Sequence, residues 1–234
     1  MAATQERVRP LDGPARWAVM ALVVVIVADL LAIGADWLEI DLLSRAIDGK
    51  RVSMSELDSS DDRQAVLGLL GLAVVIAAAV FFIRWFHAAY ANLTALGRED
   101  LRFGTGWAIG AWFVPLLNLW RPKQIANDIW RGSNPNVPSQ PAPWKEAGVP
   151  TFLELWWGAW IIADVGQIAM RVWFESETAE ELRTAAYADI GFLVIDVVAA
   201  TLAIVVVRRL TARQDERVRR SALFEASSAT MRAA

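Results

Sequence analysis

Three aspartates interrupt long apolar stretches of the sequence, where an ionisable side chain is costly. Asp29, Asp164 and Asp196 lie roughly 20, 18 and 17 Å from the predicted cytoplasmic ends of three helices, near the middle of a ~30 Å bilayer core. A charge at that depth costs about 2.5–3.5 kcal/mol on insertion scales. Burial and neighbouring carboxylates both disfavour ionisation, so such a cluster can bind and release a proton or a cation. The alternative is that each aspartate is protonated or hydrogen-bonded across helices and only holds the helices together.

Other polar residues lie close to these aspartates in the sequence. Gln167 and Arg171 follow Asp164 at helical spacing, which predicts a polar face that looks into the helix bundle. Arg84 lies near the end of another apolar stretch, shallow enough for its side chain to reach the membrane surface. The candidate intramembrane cluster is therefore Asp29, Asp164, Asp196, Gln167, Arg171 and Arg84.

Several kinds of chemistry are excluded by residue type or missing motifs. The chain has no cysteine, which excludes thiolate nucleophiles, disulfides and Cys-ligated metals. A single histidine, His87, excludes any site that needs two. The glycines of 104–110 are spaced one residue too far apart for a dinucleotide loop, and no predicted strand precedes them. Protease, P-loop and phosphotransferase signatures are also missing, so we predict a protein that is not an enzyme and has no cofactor or metal.

The elements that position these residues are apolar helices. The 234 residues are 56% hydrophobic with a mean hydropathy of +0.35, too apolar for an ordinary soluble domain. We predict an all-α integral membrane protein with a cytoplasmic tail (1–14), one transmembrane domain (15–210) and a basic cytoplasmic tail (211–234). Since a span needs about 20 apolar residues, the four transmembrane helices are assigned to 16–37, 65–88, 152–173 and 186–207.

Local signals predict where the helices begin and end. Gly49 and Gly97 are expected to terminate the first two helices, because glycine readily adopts the left-handed conformation. The sequence SSDD (59–62) offers capping residues for the second helix. The pairs Thr151–Glu154 and Thr178–Glu181 match the capping-box pattern at the start of the third and fourth helices.

The segment 103–131 between the second and third spans is predicted to be a short amphipathic or half-depth insertion. Residues 103–120 contain Pro115 and would reach only roughly 24–27 Å as a helix. Ile125, Ile129 and Trp130 then fall on one side, as in a helix that lies on a membrane surface. A Pro-rich loop (132–150) follows. Re-entrant, surface-lying and fully spanning arrangements of 105–120 remain open alternatives.

The distribution of charge predicts the orientation. Sixteen Lys and Arg residues lie in the N-terminus, the 91–150 loop and the C-terminal tail, against five in the 38–64 loop and the 174–185 turn. The positive-inside rule therefore places both termini in the cytoplasm and the protein in the cytoplasmic membrane. A fifth span would move the Arg-rich tail outside, so the rule favours four.

Two sets of residues indicate contact with lipid. Nine of the 12 tryptophans lie between Trp85 and Trp160, and tryptophan favours the membrane–water boundary, although packing between helices would also explain them. Six arginines at the start of the tail would attract anionic lipid, although simple retention of the topology explains them equally well. They are Arg208, Arg209, Arg213, Arg217, Arg219 and Arg220.

The Trp-rich middle of the chain carries a family resemblance. The runs W-F-x-x-A-Y-x-N-L-x-x-L-G (85–97), W-x-x-x-x-F-V-P-L-L-N-L-W-R-P (107–122), I-W-R-G-S (129–133) and W-W (156–157) resemble an actinobacterial membrane family, domain of unknown function 4328. The resemblance covers about 65–210 and implies a multi-span membrane protein with no established activity. Its motif residues here are Trp85, Asn92, Gly97, Trp107, Pro115, Asn118, Pro122, Trp130, Trp156 and Trp157.

Two functional hypotheses follow from the sequence. The first is a non-enzymatic interaction or scaffold module in the cytoplasmic membrane. The alternative is a small proton- or cation-coupled transport component that uses Asp29, Asp164 and Asp196. The expected partner is the lipid bilayer, not nucleic acid, and the sequence leaves open whether a second copy or another membrane protein also binds.

Overall fold

The computed structural model describes residues 8–98, 100–136, 144–173 and 178–233, although not every side chain within the last two ranges. Within these ranges the chain forms helices and no strands. The α-helices are α1 (Asp12–Ile47), α2 (Met54–Ala95), α3 (Trp107–Gly110), α4 (Arg121–Gly132), α5 (Thr151–Trp173) and α6 (Ala179–Ala233). Two single 3-10 turns, Leu117–Leu119 and Trp144–Glu146, flank α4 in the chain. The prediction of an all-helical fold is confirmed.

Three of these helices are long and apolar enough to cross a membrane. They are α1, α2 and the Ala179–Phe224 part of α6. Many of their outward-facing side chains are apolar; Leu69 of α2, for example, is 71% exposed. Exposed apolar surface on this scale requires an apolar environment. These are the features of a membrane protein. The predicted third span corresponds to α5, which is not among the three, so the fourth span stays a prediction.

The ends of α1 and α2 confirm the two glycine predictions. Gly49 has φ +70° and Gly97 has φ +79°, a left-handed conformation that glycine adopts without steric cost. Each glycine lies two residues after the last helical residue, where it stops the helix.

The helix starts match the predictions only in part. The backbone N–H of Thr178 donates to Glu181 (3.0 Å) and that of Glu181 donates to the Thr178 hydroxyl (3.2 Å), which confirms this capping box. The expected start of the second helix at 59–62 is wrong, because α2 begins at Met54 after a capping box formed by Ser53 and Glu56. At the start of α5, Glu154 accepts a hydrogen bond from Lys123.

The chain divides into two compact units. Unit 1 comprises Met1–Val19, Val80–Glu154 and Val205–Ala234, and unit 2 comprises Met20–Ala79 and Leu155–Ile204. Residues that are distant in sequence therefore come together within each unit. This division differs from the predicted order of tail, single domain and tail, which stays a prediction.

The core of unit 1 is aromatic. Phe82, Trp85, Phe86 and Tyr90 of α2 are buried. Trp112 packs edge-on against Phe82 and Phe86, with ring centroids 5.7 and 5.8 Å away. Edge-to-face aromatic pairs of this kind add about 0.5–1.5 kcal/mol to the effect of burial. Tryptophans from the Trp-rich middle of the sequence thus pack in the interior of this part of the chain.

Helix α4 differs from the surface-lying helix expected from its sequence. Ile125 and Ile129 are fully buried, and none of the twelve residues of α4 is exposed. Gly132 packs so closely against Leu93 of α2 that a Cβ there would lie 2.8 Å from a Leu93 methyl carbon. The apolar side of α4 therefore packs against protein, because unit 1 surrounds it.

Residues 105–120 do not form one continuous helix. They contain the four-residue α3, a series of turns and one 3-10 turn, and Leu116 has φ +66°. Phe113 and Leu116 are 71% and 68% exposed. This irregular segment of unit 1 presents apolar side chains outward.

Candidate functional site

The three aspartates predicted at mid-membrane depth all belong to unit 2. Asp29 of α1 is only 8% exposed, and its buried Oδ2 has no hydrogen-bond partner among the residues that the structure describes. The charge of Asp196 on α6 acts on Asp29 and also on Asp164 of α5. Asp196 is therefore within electrostatic reach of both other predicted carboxylates.

The three aspartates differ in exposure. Asp196 is half-buried and Asp164 is exposed. Asp164 therefore differs from the prediction that its side chain looks into the bundle, whereas Trp157, Trp160 and Gln167 of the same predicted face are half-buried. Among the described side chains of α5 in unit 2, those of Trp156 and Ala163 are buried, and they lie beside this face.

The other predicted members of the cluster do not all lie beside these aspartates. Gln167 is half-buried on α5, near Asp164. The side chain of Arg171 lies outside the described residues. Arg84 is exposed and belongs to unit 1. The carboxylates are therefore the part of the cluster that the structure brings together.

Sequence reasoning missed a second polar group in unit 2. Asp36 of α1 is only 7% exposed, and the side-chain amide of Gln64 on α2 donates to its Oδ1 over 3.0 Å. The same amide donates to Glu39 Oε2 over 2.5 Å, and the charge of Asp189 on α6 acts on Asp36. The available signal was spacing, since Asp36 follows Asp29 by two helical turns and therefore shares its face.

The packing of α5 against α6 depends on one glycine. A Cβ at Gly166 would lie 2.2 Å from a ring carbon of Phe192 on α6, which no real side chain tolerates. Gly158, on the same helix, has open space around it. Gly166 therefore sets how closely these two helices approach beside Asp164.

Unit 1 holds a buried polar network centred on Asn92. Its side-chain amide donates to the backbone carbonyl of Arg9 (2.9 Å) and to Gln214 Oε1 (3.1 Å), and its oxygen accepts from the Arg9 N–H. Gln214 in turn donates to the backbone carbonyl of Ala89 over 2.7 Å. Asn92 thus joins the N-terminal segment, α2 and α6, which is a structural role for this family-motif residue.

Two motif tryptophans are also held by α6. The Trp85 indole donates to the Thr211 hydroxyl over 3.0 Å in a buried contact. The guanidinium of Arg213 lies 3.9 Å from the ring centroid of Trp130 and donates to the Trp130 carbonyl over 2.9 Å. Stacking of a cation on an aromatic face is favourable, and the carbonyls at a helix end carry partial negative charge.

The basic tail is partly built into the protein. Arg217 is buried and donates to the carbonyls of Asn134 (2.7 Å) and Leu96 (3.0 Å). Arg219 and Arg220 pair with Glu216. With Arg213 also engaged, Arg208 and Arg209 are the exposed tail arginines for which the described contacts give no such role.

The remaining motif residues are distributed over both units. Trp107 lies under the guanidinium of Arg121, 4.2 Å from its ring centroid. In unit 1 Pro122 is buried, Asn118 is half-buried and Pro115 is exposed. In unit 2 Trp156 is buried, and Trp157 stacks on Trp160 with centroids 4.7 Å apart. Of these residues, Trp107 contacts the start of α4 through Arg121, and Gly97 ends α2.

One buried carboxylate of unit 1 lies outside the predicted spans. Asp128 of α4 is 0% exposed, and its nearest described cation is Arg102, with 3.6 Å between nitrogen and Oδ1. Burial raises the pKa of Asp128, and the charges of Arg102 and Arg131 act against that rise. A buried carboxylate with only distant neutralisation is costly, so this group makes stability depend on pH.

The geometry describes a helical membrane-protein fold that encloses carboxylates, and the comparisons with known proteins agree with the resemblance. The chain belongs to the family described as domain of unknown function (DUF4328), whose model matches residues 48–212. None of the curated proteins and none of the solved structures matches the chain significantly. Among the described residues, no group of three or more His, Cys, Asp or Glu side chains is arranged to hold a metal ion.

Proposed function

We propose that the chain is a membrane protein whose aspartates take up and release protons within the bilayer. The observation that carries this proposal is the buried Oδ2 of Asp29, which has no hydrogen-bond partner among the described residues and lies in the field of Asp196. A helix-joining aspartate would use both oxygens in hydrogen bonds, because an unpaired buried acceptor costs about 1–3 kcal/mol. A carboxylate kept at that cost fits a group that must change its protonation state.

The proposed topology has four spans, with both termini in the cytoplasm. Helix α5 has 23 residues and would extend ~35 Å, enough to cross the hydrocarbon core. Residues 105–120 stay on the cytoplasmic side in this arrangement, because irregular backbone survives at depth only when protein or water satisfies it. The Lys and Arg distribution supports the same orientation in the cytoplasmic membrane. Arg208 and Arg209 would then face the headgroups of anionic lipid.

A scaffold function is the second candidate, and the polar network of unit 1 favours it. Asn92 and Arg217 tie chain segments together through buried hydrogen bonds. Such a network gives a defined shape to a surface that another membrane protein or a second copy can bind. This candidate needs no chemistry at the aspartates, which makes the two functions separable.

Proton flux into liposomes tests the first proposal. The purified chain is reconstituted with a trapped pH-sensitive dye, and a pH jump is applied while valinomycin and K⁺ hold the membrane potential near zero. The unmodified protein should dissipate the gradient faster than empty liposomes, and Asp29→Asn and Asp196→Asn should return the rate to that of empty liposomes. Asp62→Asn is the matched control, because Asp62 is exposed on α2. If the flux does not exceed that of empty liposomes, the proton-handling proposal is wrong and the scaffold function is the remaining candidate.

A further inference from the structure

Two aspartates of α1 and two aspartates of α6 are separated by the same number of residues. Asp29 and Asp36 lie seven residues apart on α1, as do Asp189 and Asp196 on α6. Seven residues make nearly two helical turns, so each pair shares one face and is separated by ~10 Å along its helix.

The electrostatic pairs follow an antiparallel order. Asp29 interacts with Asp196, and Asp36 interacts with Asp189. The earlier residue of one helix thus faces the later residue of the other, as two antiparallel helices require. The result is an inner tier (Asp29, Asp164, Asp196) and an outer tier (Asp36, Glu39, Gln64, Asp189), both within unit 2.

The exposure of the carboxylates in the outer tier increases from the interior to the surface. Asp36 is buried, Glu39 is half-buried and Asp189 is exposed. Gln64 holds the first two in place, because its amide donates to both carboxylates. The amide only positions the two acids, since it donates to both and accepts from neither. The partly exposed acid can then pass a proton from solvent to the buried acid directly or through water.

Among the described residues, the charges that act on Asp29 and Asp36 are acidic. Those acting on Asp36 belong to Asp189 and Glu39, and the one acting on Asp29 belongs to Asp196. On α2, the neighbouring Arg63 donates to the Ser60 hydroxyl instead. Within the described part of the chain, none of the ion pairs joins a Lys or Arg to the buried members of either tier, Asp29 and Asp36.

We propose that the outer tier is the route by which protons reach and leave the inner tier from the end of α1 opposite Arg16. This inference rests on the proposed proton-handling function. A proton passes from water to Glu39 or Asp189 and then to Asp36. It then crosses the ~10 Å between the tiers through about three water molecules, since each hydrogen bond spans only ~2.7–2.8 Å. Each transfer forms one O–H bond and breaks another, so no other reactant is needed.

The test is the liposome flux of Asp36→Asn. A positioned proton-transfer group contributes about 10²–10⁴-fold, so the flux should fall at least tenfold, and Asp36→Glu should restore most of it. Asp62→Asn should keep the rate of the unmodified protein. Full flux in a folded Asp36→Asn protein would overturn the route and leave the proposed function standing. An unmodified protein without flux would overturn both.

A second variant keeps the test valid if Asp36→Asn fails to fold. Ala32 lies on α1 between the two tiers, one turn from Asp29 and one turn from Asp36. Ala32→Leu should displace the water that bridges the tiers and lower the flux at least tenfold. Gly34→Ala is its control, because a Cβ at Gly34 meets nothing within 4 Å. Equal flux in folded Ala32→Leu and Gly34→Ala proteins would overturn the route.

Discussion

Replacement of Asp29 by asparagine should stabilise the fold while it removes the proposed proton flux. Asp29 is 8% exposed and its Oδ2 is buried without a described partner. Asparagine keeps the volume and replaces this oxygen by an N–H donor, which can bind the Asp196 carboxylate. Relief of an unpaired buried acceptor is worth about 1–3 kcal/mol. At roughly 2–4 °C per kcal/mol for a chain of this size, the melting temperature should rise by about 2–12 °C.

The measurement is thermal unfolding in a lipid nanodisc, followed by intrinsic tryptophan fluorescence at neutral pH. Asp62→Asn is the control and should melt with the unmodified protein, because Asp62 is exposed. Proteins commonly keep a functional group that lowers their stability. If Asp29→Asn lowers the melting temperature instead, Oδ2 has a stabilising partner. The reasoning that assigns it a proton-handling function would then be refuted.

Three further variants test the packing and the electrostatics. Thr211→Val removes the hydroxyl that accepts a buried indole N–H and should cost about 1–3 kcal/mol in thermal unfolding, whereas Thr201→Val, at an exposed hydroxyl, should cost less than a third as much. Gly166→Ala should cost about 1–3 kcal/mol by overpacking, and Gly158→Ala should be nearly neutral; equal melting temperatures would contradict the close approach of α5 and α6. Because burial raises the pKa of Asp128, the folded chain binds this proton more tightly than the unfolded chain, so this contribution to stability is lost as pH rises from 3.8 through the raised pKa. Asp128→Asn should flatten that part of the stability–pH curve, and an unchanged slope would contradict it.

The long helices could be predicted from the sequence because their signal is local. Runs of apolar residues set α1, α2 and most of α6, and Gly49 and Gly97 stop helices by their backbone freedom. The start of α2 was misplaced because two capping patterns compete, and the Ser53–Glu56 box precedes the SSDD sequence. Capping patterns alone do not show at which of two such sequences the helix begins.

Tertiary features depended on contacts that no local pattern contains. The amphipathic pattern of α4 fits a lipid surface and a protein interior equally well, and only the surrounding residues of unit 1 decide for the interior. Similarly, Arg213 and Arg217 look like tail charges until the carbonyls of Trp130 and Leu96 are placed beside them. The family motif gave a set of residues without indicating that four of them, Trp85, Asn92, Trp107 and Trp130, contact another helix or chain segment.

The predicted aspartates combine a signal that is local in the sequence with contacts that no local pattern contains. Counting residues along the helices predicted a common depth, and Asp196 does act on the other two. The exposure of Asp164 was not predicted, because the helical spacing of Asp164 and Gln167 gives a stripe without saying which part of it the neighbouring helices cover. Asp36 was passed over because its partner, Gln64, lies 28 residues away.

The most direct test of the central claim is chemical labelling of protonated carboxyl groups in the membrane. Dicyclohexylcarbodiimide enters the bilayer and reacts with a carboxyl group that holds a proton in apolar surroundings. Treatment of native membranes followed by peptide mass spectrometry should give adducts at Asp29 and Asp196 at neutral pH, decreasing as the pH is raised, and none at exposed Asp62. Absence of label at both Asp29 and Asp196, with the protein folded and another membrane carboxyl protein labelled in parallel, would contradict the account.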